Sequence, residues 1–180
     1  GKLKTSEKVA ERILDLRVGK HQCLNPKRPV VFVDTSKVEY YEDEVGSGCS
    51  NIKEAEYVAS IVSLFIKKGI KTVDIGVVTP YNKQKFLIRD FLKDIGIEGV
   101  EVDTAHGFQG REKDIIIIST AKSKKYSFSK DLLRFIEGKY LVNVTITRAR
   151  KKLILVGNSR TLCQGVLWNK IIKKIGKKNS

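Results

Sequence analysis

Three short segments of this 180-residue chain combine residue types suited to phosphate, ribose and base chemistry. The first is Gly76-Val77-Val78-Thr79-Pro80-Tyr81-Asn82-Lys83-Gln84, where an apolar run meets a Thr-Pro-Tyr corner. A Thr79 hydroxyl and free backbone N–H groups at a helix start suit a phosphate. Tyr81 has an aromatic face on which a base can stack. The same residues also fit a plain helix-entry turn with a buried Tyr, and the corner taken alone favours that alternative. The second segment runs from Val102 to Asp114 and contains Thr104, His106, Gln109, Gly110, Arg111 and Glu112 just before an Ile-rich run. Gly110 lets a backbone approach a phosphate closely, Glu112 can accept from a ribose hydroxyl, and Thr104 can donate to a nucleic-acid phosphate. A lone His106 is more often structural, and the two histidines of the chain suggest neither a triad nor a metal site. Arg111 with Glu112 equally fits a solvated ion pair of small worth. The third segment is Tyr140 to Arg150. On a helix, Leu141, Val144 and Ala149 would pack inward while Asn143 and Arg148 face elsewhere. A rigidly held Arg148 is what charge on a transferring γ-phosphoryl group requires; pairing with a neighbouring acid explains it equally well.

Strand-like and helical stretches alternate along the whole chain, the pattern of an α/β domain with a mainly parallel sheet. Strands are expected at Val30 to Asp34, Asp74 to Thr79, Val100 to Val102, Asp114 to Thr120 and Leu153 to Val156. Glu42 to Ser50 is expected to be a polar loop. A helix is expected from Asn51, where Ile52, Ala55, Val58, Ala59, Val62, Phe65 and Ile66 recur at helical spacing. Asn51 and Glu54 form a capping-box pattern, and Gly69 ends the helix. Pro80 is expected to open a second helix through Leu92. A basic loop from Lys122 to Lys130, a helix over 140–150 and a closing helix from Trp168 to Ile175 complete the pattern.

Composition narrows the function classes. A hydrophobic fraction of 41% suits a globular domain with a real core. No apolar run approaches the roughly 18 residues of a membrane span, and the N-terminus lacks a signal-peptide core. Cys23, Cys49 and Cys163 fit no zinc spacing or disulfide framework, which points to a reducing intracellular compartment. Lys plus Arg number 35 against 20 acids, a net charge of +15 that attracts polyanions such as nucleic acid. Lys-rich faces that merely solvate the domain are the alternative.

In this order and spacing the three segments resemble motifs IV, V and VI of superfamily 1 helicases of the Upf1-like group, which includes Upf1, senataxin and Dna2. His106-Gly107-Phe108-Gln109-Gly110-Arg111-Glu112-Lys113-Asp114 resembles motif V, and Asn143-Val144-Thr145-Ile146-Thr147-Arg148-Ala149-Arg150 resembles motif VI. The resemblance extends to Ser50-Asn51 with Glu54-Ala55, and to Leu155-Val156-Gly157-Asn158 through Leu162 and Trp168. It implies a RecA-like (P-loop NTPase-type) three-layer sandwich, the second of two motor domains. Residues 29–180 would form that domain, and 1–28 would connect to a first domain absent from the chain. Arg148 would be the arginine finger. Gln109, Gly110 and Glu112 would line the nucleotide with it. Thr79, Pro80, Tyr81, Thr104 and His106 would hold single-stranded RNA or DNA. ATP and Mg²⁺ would be bound mainly by the upstream RecA-like domain, which is the implied partner; neither a metal site in this chain nor a membrane is implied.

Some residues depart from the family pattern. Thr145 and Ile146 stand where Ala and Leu are frequent, and Lys122 stands where Arg is common. Tyr126-Ser127-Phe128 and Lys139-Tyr140-Leu141 replace the usual approach to motif VI. No Gly-x-x-x-x-Gly-Lys-Thr/Ser stretch occurs, and no Asp-Glu pair serves as a Walker B. The chain by itself is therefore expected to lack ATPase activity. Two alternatives remain open: a stand-alone nucleic-acid-binding module with a degenerate RecA-like fold, and a structural subunit completing a nucleotide site in trans.

Overall fold

The computed structural model describes residues 20–37, 43–45, 48–123 and 148–178. Apolar, β-branched runs supply five strands: β1 (Val30–Asp34), β4 (Ile75–Thr79), β5 (Glu101–Thr104), β6 (Lys113–Ser119) and β7 (Ala149–Gly157). They form one sheet in the order β1-β7-β6-β4-β5, every neighbouring pair parallel. Because the strands point the same way, their C-terminal ends share one edge of the sheet and their N-terminal ends share the other.

Helices cover both faces, as an all-parallel sheet requires. The two-residue side-chain period divides the Ile-rich β6 between them. Ile115 and Ile117 pack with Val31, Val77, Ile154 and Val156 against α2 (Ile52–Lys67) and α3 (Asn82–Asp94). Ile116 and Ile118 pack on the opposite face with Val78, Leu155, Phe108 and Trp168. Trp168 belongs to α5 (Val166–Lys178), which follows the short α4 (Ser159–Leu162). This is the three-layer RecA-like sandwich that the sequence implies.

Several expectations are corrected. The expected polar loop over 42–50 contains an antiparallel hairpin, β2 (Asp43–Val45) with β3 (Gly48–Ser50). The helix expected at Pro80 begins at Asn82, and Tyr81 is its extended N-cap residue. The helix expected over 140–150 does not reach its end: Ala149 and Arg150 already belong to β7, with Ala149 paired to Lys113. Pairing with β6 inside the sheet outweighs the local helix propensity of Ala and Arg. Residues 140–147 of that expected helix, and 124–130 of the expected basic loop, lie outside the described residues.

Within the stretch expected to be a connector, α1 (Lys20–Leu24) carries Cys23 into the core, where it is 1% exposed. Lys152 on β7 fastens this stretch, its Nζ donating to the carbonyls of Asn25 at 2.7 Å and Arg28 at 2.8 Å. Burial pushes the Cys23 thiol up to about 11, partly opposed by the Lys152 ammonium. The folded state thus keeps the thiol neutral while the unfolded chain ionises it near 9. Stability from this site is fully present below pH 9 and falls as pH rises from 9 towards 11. Urea titrations across that window should show the fall, and Cys23→Ala should flatten it.

Candidate nucleotide and nucleic-acid sites

The two sets of candidate residues fall largely at opposite edges of the sheet. At the C-terminal edge, Thr79 ends β4 and is paired in register with Thr104, which ends β5. Pro80 and Tyr81 continue from Thr79 into α3. Thr79 is fully buried, and its hydroxyl has no hydrogen-bond partner among the described residues. Pro80, Tyr81 and Thr104 are half-buried. The Thr104 hydroxyl accepts from the Gly107 N–H at 3.3 Å, and its carbonyl accepts from the Phe108 N–H at 2.9 Å. His106 is exposed in the same turn, and its carbonyl accepts from the Gln109 N–H at 3.2 Å.

At the N-terminal edge, Glu112 immediately precedes β6 and Arg148 immediately precedes β7. The Lys113 N–H donates to the Arg148 carbonyl at 3.1 Å, so the two strand starts are tied together. Arg148 Nε is buried without a hydrogen-bond partner among the described residues. Such a group is costly to keep. The Glu112 carboxylate accepts from Arg150 Nε at 3.2 Å, so motifs V and VI meet through an exposed ion pair. Arg111 does not pair with Glu112. It pairs with Glu101, which Lys113 Nζ also reaches at 3.2 Å. Burial alone would raise the Glu101 carboxyl, but the hydrogen bonds and charges of Arg111 and Lys113 hold it below its ordinary range.

One turn, residues 105–112, leads from the first edge to the second. Seven residues of β6 separate the edges, about 20 Å at the usual rise per residue. Gln109 and Gly110 are exposed in this turn. Gly110 has φ +81, a conformation natural to glycine, and a Cβ built there would meet nothing within 4 Å. Its backbone therefore lies open to a close approach by a ligand. Phe108 pins the middle of the turn: it is fully buried, and its ring sits so near Gly76 that a Cβ there would lie 2.5 Å from it.

A buried polar cluster beside the Thr-Pro-Tyr corner was not legible as such in the sequence. Glu54, fully buried in the first turn of α2, accepts at Oε1 from Ser119 Oγ and from the Ala121 N–H, each at 2.7 Å. Gln84 bridges Asn51 and Ser119. The Lys122 ammonium stands 5.5 Å from the centroid of the Tyr81 ring. The capping pattern found Asn51 and Glu54, and one half of it is met: the Asn51 side chain accepts from the Glu54 N–H, while the Asn51 N–H donates to Gln84 Oε1 and the Glu54 carboxylate turns to Ser119 and Ala121. Only the tertiary pairing of β6 beside β4 brings Ser119 and Ala121 to that cap. Among the described residues, no group of three or more His, Cys, Asp or Glu could hold a metal ion. None of their helices is long and apolar enough to cross a membrane.

The parallel five-stranded sheet, helix-covered on both faces, is consistent with a RecA-like α/β domain. A family profile described as an AAA domain matches residues 1–160. The chain belongs to that family, as a helicase domain of the Upf1-like group of superfamily 1. It is 40% identical over 145 residues to an uncharacterized ATP-dependent helicase of Methanocaldococcus jannaschii, covering 81% of this chain and 20% of that protein. It is 36% identical over 156 residues to the DNA replication ATP-dependent helicase/nuclease DNA2 of Xenopus tropicalis, covering 87% of this chain and 15% of the relative. The Regulator of nonsense transcripts 1 homolog of Drosophila melanogaster is 35% identical over 155 residues, covering 82% and 12%. The chain thus spans a fifth or less of the length of these relatives.

Proposed function

We propose that this chain is the C-terminal RecA-like motor domain of an ATP-dependent superfamily 1 RNA or DNA helicase. It completes a nucleotide site at one edge of its sheet and forms part of a single-strand-binding surface at the other. The observation that carries this is the partition itself: Glu112 and Arg148 at the N-terminal edge, Thr79 to Tyr81 and Thr104 at the C-terminal edge, one turn between them. When bound, ATP supplies the γ-phosphoryl group to be transferred. Arg148 directs its guanidinium at the developing charge as an arginine finger. Gly110 offers an open backbone, Gln109 lies beside it, and Glu112 accepts from the ribose. The corner from Thr79 to Tyr81, with Thr104 and His106, holds the strand; buried Thr79 acts through its backbone while Tyr81 stacks on a base.

The phosphate cradle and the Mg²⁺ ligands belong to an upstream RecA-like domain, because this sequence has no Walker A stretch. That domain is the chain's first partner, and an intracellular location follows from the proposed substrate. Closing the cleft on ATP would press on the start of β6. The 105–112 turn, pinned by Phe108, would carry that displacement to the strand-holding edge.

Glu112 separates a binding role from a structural one. Its pair with Arg150 is exposed and worth little to stability. Glu112→Gln should therefore change unfolding free energy by no more than about 0.5 kcal/mol. In the parent protein it should weaken binding of a fluorescent ATP analogue about tenfold, the loss of one charge-assisted hydrogen bond. Unchanged nucleotide affinity would remove Glu112 from the site.

A further inference from the structure

Among the described residues, Ala121 is the one non-glycine with positive φ, at +58. An alanine in this left-handed region is strained and persists only when its surroundings hold it there. Both of its backbone polar groups are held by the cap of α2. Its N–H donates to Glu54 Oε1 at 2.7 Å, and its carbonyl accepts from Asn51 Nδ2 at 3.3 Å. The same Glu54 oxygen accepts from Ser119 Oγ at 2.7 Å, and Ser119 Oγ accepts from Gln84 Nε2 at 3.0 Å. Gln84 lies three residues beyond Tyr81 on α3, and its Oε1 accepts from the Asn51 N–H at 2.7 Å. Asn51, Glu54, Gln84, Ser119, Ala121 and Lys122 are all buried. From the left-handed residue the chain turns so that Lys122 comes over the Tyr81 ring, 5.5 Å from its centroid. Hydrogen bonds link Gln84, Ser119, Glu54 and Ala121, the chain leads from Ala121 to Lys122 and so to the Tyr81 ring, and the first turn of α3 leads from Tyr81 back to Gln84, closing a circuit.

A fastener meant only to join β6 to α2 needs neither a strained residue nor a buried cation aimed at an aromatic face. We propose that Glu54 is a positioning residue for the strand-binding corner. By holding Ala121 in the left-handed conformation it sets Lys122 over one face of Tyr81, and the cation fixes the ring so that a nucleobase stacks on the other face. This rests on the strand-binding role proposed above for Tyr81. The ligand class is single-stranded nucleic acid, engaged here through a base rather than through phosphate.

The test is fluorescence anisotropy of a labelled single-stranded oligonucleotide with the full-length parent protein. Lys122→Met should weaken binding about fivefold, and Lys122→Arg, which keeps the cation, should stay within about twofold of wild type. The slope of affinity against salt should not change in Lys122→Met, because no phosphate contact is lost. The defect should vanish in a Tyr81→Ala background. Glu54→Gln should weaken binding about threefold through its neutral, weaker acceptor, and should add nothing in a Lys122→Met background. Additive effects, or a Lys122→Met defect that lowers the salt slope by about one and persists without Tyr81, would overturn the positioning role. Wild-type binding by Tyr81→Ala alone would instead overturn the strand-binding corner on which it rests.

Discussion

Arg148→Ala in the full-length parent protein is expected to lower strand-stimulated ATP turnover by about a thousandfold or more, the usual worth of the arginine finger proposed for it. That is a loss of about 4 kcal/mol of transition-state stabilisation. Arg148 sits where two strand starts are tied by the Lys113–Arg148 backbone hydrogen bond, so its Cα is held by the sheet. Its Nε is buried without a hydrogen-bond partner among the described residues, so removing it orphans none of them. Folding stability should therefore change little while turnover collapses. Arg148→Lys should recover only a small part of the rate, because an ammonium lacks the planar fork of a guanidinium. ATP turnover within tenfold of wild type in Arg148→Ala would exclude the assignment.

The largest stability effect is expected at Phe108. The ring is fully buried among Val78, Ile116, Leu155 and Trp168, on the sheet face opposite α2 and α3. Phe108→Ala should cost about 3–5 kcal/mol, the lost transfer free energy plus the cavity left behind. Its consequence reaches beyond stability, because Phe108 is the anchor of the turn that joins the two edges. Loosening it should weaken nucleotide and strand affinity together, whereas Glu112 and Tyr81 variants should each affect one. Urea unfolding with an unchanged slope measures the first effect. A loss below about 1 kcal/mol would contradict the packing account of the turn.

How much of this was legible in the sequence depended on whether the signal was local. The Ile115 to Ile118 run announced a buried strand, and its register divides those side chains between the two faces. Asn51 announced a helix N-cap, and its side chain caps α2; the Glu54 carboxylate, expected to complete the box, accepts from Ser119 and Ala121 instead. The spacing of motifs IV, V and VI identified the family without any tertiary information. Non-local pairing was not legible. The start of β7 at Ala149 depends on β6 lying beside it, and the pairing of Arg111 with Glu101 rather than Glu112 depends on where β5 lies. The circuit through Glu54, Ala121 and Lys122 spans 68 positions of sequence and exists only once the sheet is assembled. The segment over 140–147, which carries most of motif VI, lies outside the described residues, so Arg148 is placed by its strand and not by the helix expected before it.

The most direct measurement is ATP hydrolysis by the full-length parent, with and without single-stranded RNA and DNA. A motor whose second domain links a nucleotide edge to a strand edge through one turn should hydrolyse slowly alone and several-fold faster with at least one strand. No hydrolysis with either strand would contradict that motor, leaving a nucleic-acid-binding module that keeps a RecA-like fold without its work.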